Sequence, residues 1–418
     1  MIELGDGSPG AARVDGAFAV AGRPEFLGVF PALTIATAGG APITSTETYV
    51  NATYTLIAPG FATETGPLRI RGRGNYTWGL PKKPYRLNFP ADRTALGMKA
   101  SQRDWALLAN HDDPRKIATI TGLTLGSRIS GLTWTPQFRI VEVTINGDYQ
   151  GLYNLTDLVR LESGRVPGED VSGTSGDSLT GTYLLEISRR YVSEGDPGFT
   201  TSRDVMIQYD SPGVAIGDLD PEKATQAAYM RDWIQNFENV LYSSEFLNPT
   251  TGYARFVDMT SFADWYLVNE FGSNQDSYFE SSCKLWKERD SLGGKLHMGP
   301  LWDMGISFGN QVNVNHAPDV WNTINATGPG ATWIKRMISD PTFKTLLLQR
   351  WENMKTYIPS LLATVAEQSR RQAAAIQRDE DRWGLTHVDV EATAAYVQGW
   401  IQARAAWLDA QLPGVTGS

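Results

Sequence analysis

Apolar and polar residues alternate with period two through much of the first part of the chain. Residues 30–37 and 49–57 read as strands, and the cluster Ala38-Gly39-Gly40-Ala41-Pro42 between them reads as a turn. Residues 69–73 and 84–89 extend the sheet. Residues 139–145 run into Asn146-Gly147, a strong signal for a two-residue hairpin turn. A helix is predicted over residues 113–130, with Pro114 at an early helical position. Residues 162–180 and 193–204 read as loops. Helical patterns follow at 221–244, after Asp220, and at 258–272. In the second, Asp258 is a candidate N-cap, and Phe262, Trp265, Tyr266, Val268 and Phe271 are the apolar positions. From 331 to 412 the pattern is helical nearly throughout, with Trp333, Met337, Phe343, Leu347, Trp351 and Met354 suited to packed amphipathic faces. The pattern predicts an α+β protein. Residues 1–29 form an extension, 30–190 a β-rich lobe and 191–418 a mostly helical lobe.

Composition adds limits. Thirteen tryptophans in 418 residues supply ample core. A net charge of −9 argues against non-specific binding to nucleic acid or anionic membranes. The single cysteine, Cys283, leaves no intrachain disulfide possible. No run of 18 apolar residues occurs, so no membrane span is expected. Residues 1–13 lack a basic stretch followed by an apolar one, so no export signal is expected. That places the protein in the cytoplasm or in a larger exported particle. His111, His297, His316 and His387 have no metal-ligand spacing, and no zinc site is expected.

Two stretches carry candidate chemistry. In Gly299-Pro300-Leu301-Trp302-Asp303-Met304-Gly305-Ile306-Ser307-Phe308-Gly309-Asn310, one carboxylate follows a strand-like segment among glycines. Such an Asp can hold a hard cation such as Mg²⁺ or cap a turn. Asp276 precedes a predicted hairpin, 283–287 with 295–298, which returns the chain towards its start and brings Asp276 and Asp303 near each other. The basic stretch holds Arg71, Arg73, Lys82 and Lys83. Strand alternation groups Lys83 with Tyr85, Leu87 and Phe89 and favours it over Lys82 as the cleft-facing lysine. Gly72 and Gly74 leave backbone open to a phosphate. Trp78 reads as core rather than as a base-stacking residue. Glu186 is a possible ion-pair partner for Lys83 or for an arginine, or a surface charge on an edge strand. Asn274 and Asn310 are amides beside the two aspartates. These residues support a metal-assisted phosphate site.

The motifs also carry a resemblance. Arg71-Gly72-Arg73-Gly74-Asn75-Tyr76-Thr77-Trp78 with Pro81-Lys82-Lys83-Pro84-Tyr85-Arg86-Leu87-Asn88-Phe89 comes first. Asn146-Gly147-Asp148-Tyr149-Gln150-Gly151-Leu152-Tyr153 is second, Asn274-Gln275-Asp276 third and the 299–310 stretch fourth. In this order they resemble the signatures of the CotH family, the spore-coat-protein-H kinases. The resemblance implies a bilobal protein-kinase-like fold that transfers the γ-phosphate of ATP, with Mg²⁺ or Mn²⁺, to Ser, Thr or Tyr of a protein substrate. It implies that Asp276 orients the hydroxyl and that Asp303, with Asn310, faces the metal. Arg71, Arg73, Lys82 or Lys83, and Glu186 would serve the nucleotide. The other reading it allows is a non-catalytic structural or attachment protein of a phage virion, spore coat or cell surface. The chain departs from the pattern in three places: Ala118 where an arginine is expected, Asp157 where a glutamate is usual, and Ser281-Ser282 at a pair of small or amide residues.

Overall fold

The computed structural model describes residues 30–277, 281–310, 317–322, 326 and 329–417. The extension expected at 1–29 and His316 lie outside the described residues. The chain is α+β and divides into two compact units, neither continuous in sequence. The first comprises residues 30–124, 136–158 and 360–398; the second comprises 125–135, 159–359 and 399–417. The division therefore does not fall at residue 190. The strand carrying Glu186 belongs to the second unit, and a late helical stretch belongs to the first.

The first unit is built on a closed seven-stranded barrel. Its strands are β1 (Ala32–Thr37), β2 (Val50–Ile57), β3 (Glu64–Gly72), β4 (Tyr85–Arg93), β5 (Gln102–Leu108), β6 (Phe138–Ile145) and β7 (Asp148–Asp157). Neighbours are antiparallel except at the closure, where β1 runs parallel to β6 with Leu33 opposite Val143 and Ile35 opposite Ile145. Closure leaves no free sheet edge. The period-two residues point inward: Leu33, Ile35, Tyr54, Leu56, Ile70, Leu87, Trp105 and Tyr153 form one core cluster. Each such side chain contributes about 1.5–3 kcal/mol by leaving water. Asn146 and Gly147 turn the β6–β7 hairpin with positive φ, 53° and 80°, as a type I′ turn requires.

The helix expected over 113–130 is shorter, Ala118–Gly126 (α1). The Asp113 carboxylate accepts from the backbone N–H groups of Arg115, Ile117 and Ala118, at 3.0, 2.8 and 2.9 Å. That wraps residues 113–117 into a loop, with Lys116 left-handed at φ 54°, before the helix can begin.

The second unit holds a five-stranded antiparallel sheet in the order β12-β11-β8-β10-β9. The strands are β8 (Tyr183–Ile187), β9 (Gly198–Thr200), β10 (Met206–Ser211), β11 (Cys283–Lys287) and β12 (Leu296–Met298). The strand β9 lies in the stretch read as a loop, because three residues are too few to show a period. Asp220 caps α2 (Pro221–Leu241) by accepting from Glu222 N at 3.0 Å, and Asp258 caps α3 (Met259–Gly272) by accepting from Ser261 N at 2.7 Å. The helical C-terminal part comprises α4 (Ala331–Ile338), α5 (Pro341–Lys355), α6 (Ile358–Trp383) and α7 (Val390–Gln411). Asp340 and Pro341 open α5 in the same way as Asp220 and Pro221 open α2. Among the described residues no helix is long and apolar enough to cross a membrane.

Most of α6 belongs to the barrel unit and is fastened to the β6–β7 hairpin. Arg378 pairs with Glu142 at 2.8 Å, Arg382 with Asp148 at 2.7 Å, and Trp383 Nε1 donates to Gln150 O at 3.0 Å.

Candidate functional site

The candidate site lies in the second unit, where α3 ends and the β11–β12 hairpin returns. Ser273 leaves α3 in a left-handed conformation, and residues 275–277 form a single tight turn that carries Asp276. Asp303 follows β12, itself left-handed at φ 48°, at the entry to a second tight turn over 304–306. The two turns are fastened by one buried side chain. Asn274 Nδ2 shares its two protons among Asn269 Oδ1 at 3.0 Å, Ser277 Oγ at 2.9 Å and Met304 Sδ at 3.3 Å. Asp276 and Asp303 are the neighbours of the last two. The hairpin between them has the expected form, and both aspartates are half-buried.

This corner is braced from α7. The Arg404 guanidinium, fully buried, donates to Glu270 Oε1 at 2.7 Å and to Pro318 O at 2.9 Å. The same Glu270 oxygen accepts from Asn322 N at 2.6 Å, and Asn322 Nδ2 donates to Asn274 O at 3.1 Å. The brace fixes the end of α3 beside the Asp276 turn.

Asp303 is held from the sheet. Ser282 Oγ donates to Asp303 Oδ2 at 2.8 Å, and Ser282 N donates to Glu186 Oε1 at 2.8 Å. The other Glu186 oxygen binds Lys284, which sits opposite it on the next strand and also binds Asp210 Oδ2 at 2.5 Å. Burial alone would weaken the hold of Lys284 on its proton, but Asp210 and Glu186 outweigh it and raise its pKa above the ordinary value. Burial raises the Asp210 carboxyl, while Lys284 pulls against that shift. Burial also pushes Glu186 up, yet Lys284 and the Ser282 N–H bring it below the usual carboxylate value. Glu186 is thus neither Lys83's partner nor a surface charge: its lysine is Lys284. A lysine inside the otherwise largely apolar run Cys283-Lys284-Leu285-Trp286, between the two aspartates, was the available sequence signal for it.

Compared with known protein families, residues 69–408 match the one described as CotH kinase protein. The chain belongs to the CotH kinase family. Among curated proteins, none matches it.

The CotH match spans both units, and the signature residues of the barrel have specific places. Lys82, not Lys83, is the buried lysine. Its Nζ donates to Leu152 O and to Asp379 Oδ1, both at 2.5 Å, and none of its surface is exposed. Alternation misled because β4 begins only at Tyr85, so Lys82 and Lys83 precede the strand. Lys83 Nζ donates to Trp78 O at 2.6 Å, beside the Trp78 ring. Burial pulls the Lys82 ammonium from its ordinary 10.5 down to about 7, Asp379 pulling back up and Lys116 adding to the fall. Asp379 is also buried. It accepts from Leu152 N at 2.9 Å and lies 3.4 Å from Lys116 Nζ. Gly151, left-handed at φ 99°, leaves that carboxylate room: a Cβ there would lie 2.0 Å from Asp379 Oδ1.

Gly72 does not offer open backbone to a phosphate. It is buried under the Trp78 ring, which a Cβ would meet at 2.5 Å. Arg71 lies over the Tyr49 ring and 3.9 Å from Glu47, and Arg73 is half-buried. Asp157 is fully buried in the barrel wall, accepting from Gln102 Nε2 and Gln137 N, each at 3.0 Å. Ala118 is the first residue of α1.

The family implies a divalent cation. Among the described residues no three His, Cys, Asp or Glu side chains are grouped to hold a metal ion. Mg²⁺ needs only one or two carboxylates, its shell completed by phosphate oxygens and water. The donors present suit it in kind: the Asp276 and Asp303 carboxylates, with the buried Asn274 Oδ1 and Gln275 Oε1, which have no hydrogen-bond donor. Asn310, expected to face the metal, turns its Nδ2 into its own turn and donates to Gly305 O at 2.8 Å.

Proposed function

We propose that this chain is an active member of the CotH kinase family, transferring the γ-phosphate of ATP to a Ser, Thr or Tyr hydroxyl of a protein. The observation that carries the reading is the Asn274 side chain, which fastens the turn bearing Asp276 to the turn entered at Asp303. In protein kinases one aspartate orients the attacking hydroxyl and a second, beyond a hairpin, holds the metal. Asp276, half-buried at the end of α3, takes the first role: its carboxylate accepts the proton of the acceptor hydroxyl. Asp303, fixed by Ser282, takes the second. Mg²⁺ or Mn²⁺, when bound, supplies positive charge to the phosphate oxygens. The bilobal kinase-like plan is part of the same proposal, as are phosphate contacts from Arg71, Arg73 and Lys83. Lys82 leaves that set because its ammonium is enclosed by Asp379 and Leu152. A coat or virion protein is the proposed acceptor.

Asp276→Asn tests this reading. Nucleotide binding should persist while transfer of radiolabelled phosphate to protein stops. Unchanged transfer would assign Asp276 to structure.

A second reading, a retired kinase serving as a structural or attachment protein of a virion, spore coat or cell surface, draws on Asp157. Its carboxylate is fully buried and accepts from Gln102 Nε2 and Gln137 N. Wild-type protein that binds no nucleotide with Mg²⁺ would favour it.

A further inference from the structure

The sheet of the second unit contains a cation that the recognised motifs do not include. Lys284 stands opposite Glu186 on the adjacent strand, and Glu186 divides its two oxygens between Lys284 and the Ser282 backbone. Ser282 in turn grips Asp303. An unbroken chain of polar contacts therefore joins the Lys284 ammonium to the candidate metal carboxylate, all within one unit. The side chains of Lys284, Glu186 and Asp210 keep 11%, 11% and 17% of their surface exposed, so the cluster is not sealed.

Its charge is unbalanced. One ammonium faces two carboxylates, and an ammonium has three protons to donate. Glu186 and Asp210 take two of them. Glu186 has a second task, holding Ser282; Asp210 faces Lys284 and the like charges of Glu186 and Asp196. In a phosphoryl-transfer site a Lys–Glu pair presents its ammonium to nucleotide phosphates. We propose that Lys284 contacts the nucleotide phosphates as the paired lysine of this site, with Glu186 as its fixed partner and Asp210 as a carboxylate that competes with the phosphates for it. This rests on the kinase reading above and adds Lys284 to the phosphate contacts proposed there.

The test titrates ATP with Mg²⁺, and separately adenosine, into the full chain by calorimetry. Lys284→Met should weaken ATP by about tenfold to a hundredfold, the worth of one charge-assisted hydrogen bond, and leave adenosine unchanged. A structural defect would weaken both. Removing the lysine strands two buried carboxylates and can prevent folding, so Asp210→Asn is the second variant. It should tighten ATP, with adenosine unchanged, a gain that unfolding cannot produce. Equal losses for ATP and adenosine in Lys284→Met, or ATP binding no tighter in Asp210→Asn, would overturn the assignment. Wild-type protein that binds neither ligand would overturn the kinase reading, and this proposal with it.

Discussion

Lys82 in the barrel unit and Lys284 in the sheet unit are both held by carboxylate, and their surroundings differ. In the barrel unit Lys82 is fully enclosed. Its partner Asp379 arrives from a helix 297 residues away in sequence, and the same carboxylate caps Leu152 N. These contacts fasten α6 to β7, to the segment before β4 and, through Lys116, to the loop before α1. In the sheet unit Lys284 keeps some exposure, and its partner Glu186 leads through Ser282 to a half-buried aspartate. Lys82, in the recognisable signature, is thus tied into the barrel unit, while Lys284, on β11, is linked to the candidate metal carboxylate. A motif position reports that a residue is needed; its contacts report what for.

The largest effect that separates the two should come from Asp379→Ala. It leaves the Lys82 and Lys116 ammonium groups and the Leu152 N–H without their buried partner, at about 3–5 kcal/mol. Urea unfolding should register the loss, and limited proteolysis should place it in residues 358–383. Stability there unchanged would mean that the barrel lysine does not secure the helix.

Ser282→Ala should act on the other unit and on a different readout. Losing a hydrogen bond to a charged group costs about 1.5–3 kcal/mol, so affinity for ATP with Mg²⁺ should fall while the metal-free affinity holds. Equal affinities for wild type and variant with Mg²⁺ would detach Ser282 from the site.

The lysine environments also predict a pH response. Lys82 has a folded pKa near 7 against an ordinary 10.5. Between those values the unfolded chain binds more protons than the folded one, so this residue makes stability rise with pH across that window. Lys284 shifts the other way: its raised pKa stabilises the fold below its ordinary value, a contribution lost only as pH rises beyond it. Comparing the stability slope from pH 7 to 10 in wild type and Lys82→Met reads the first effect, since the variant should have the flatter slope. The smallest effect should be that of Lys83→Met, about 1 kcal/mol or less, because its hydrogen bond to Trp78 O is only partly buried.

Much of the local structure was legible. Period-two runs marked the barrel strands, Asn146-Gly147 marked its hairpin, and Asp220 and Asp258 marked helix starts, because each signal acts within a few residues. The paired turns of Asp276 and Asp303 were legible through the hairpin between them. What distance hides was not. Nothing local announces that β1 closes on β6, that α6 belongs to the barrel, or that Asp379 is the partner of Lys82. Alternation could not rank Lys82 against Lys83, because both precede the start of β4 at Tyr85. The loop made by Asp113 displaced a helix start because a carboxylate that caps three N–H groups competes with helical geometry.

In the proposed mechanism Asp303 holds the metal on which nucleotide binding depends. Thermal unfolding of wild type and Asp303→Ala, each with ATP in the presence and absence of Mg²⁺, tests it directly. Mg²⁺ with ATP should raise the Tm of wild type but not of the variant, whose Tm without ligand should stay close to that of wild type. Equal stabilisation of both proteins by ATP with Mg²⁺ would contradict it.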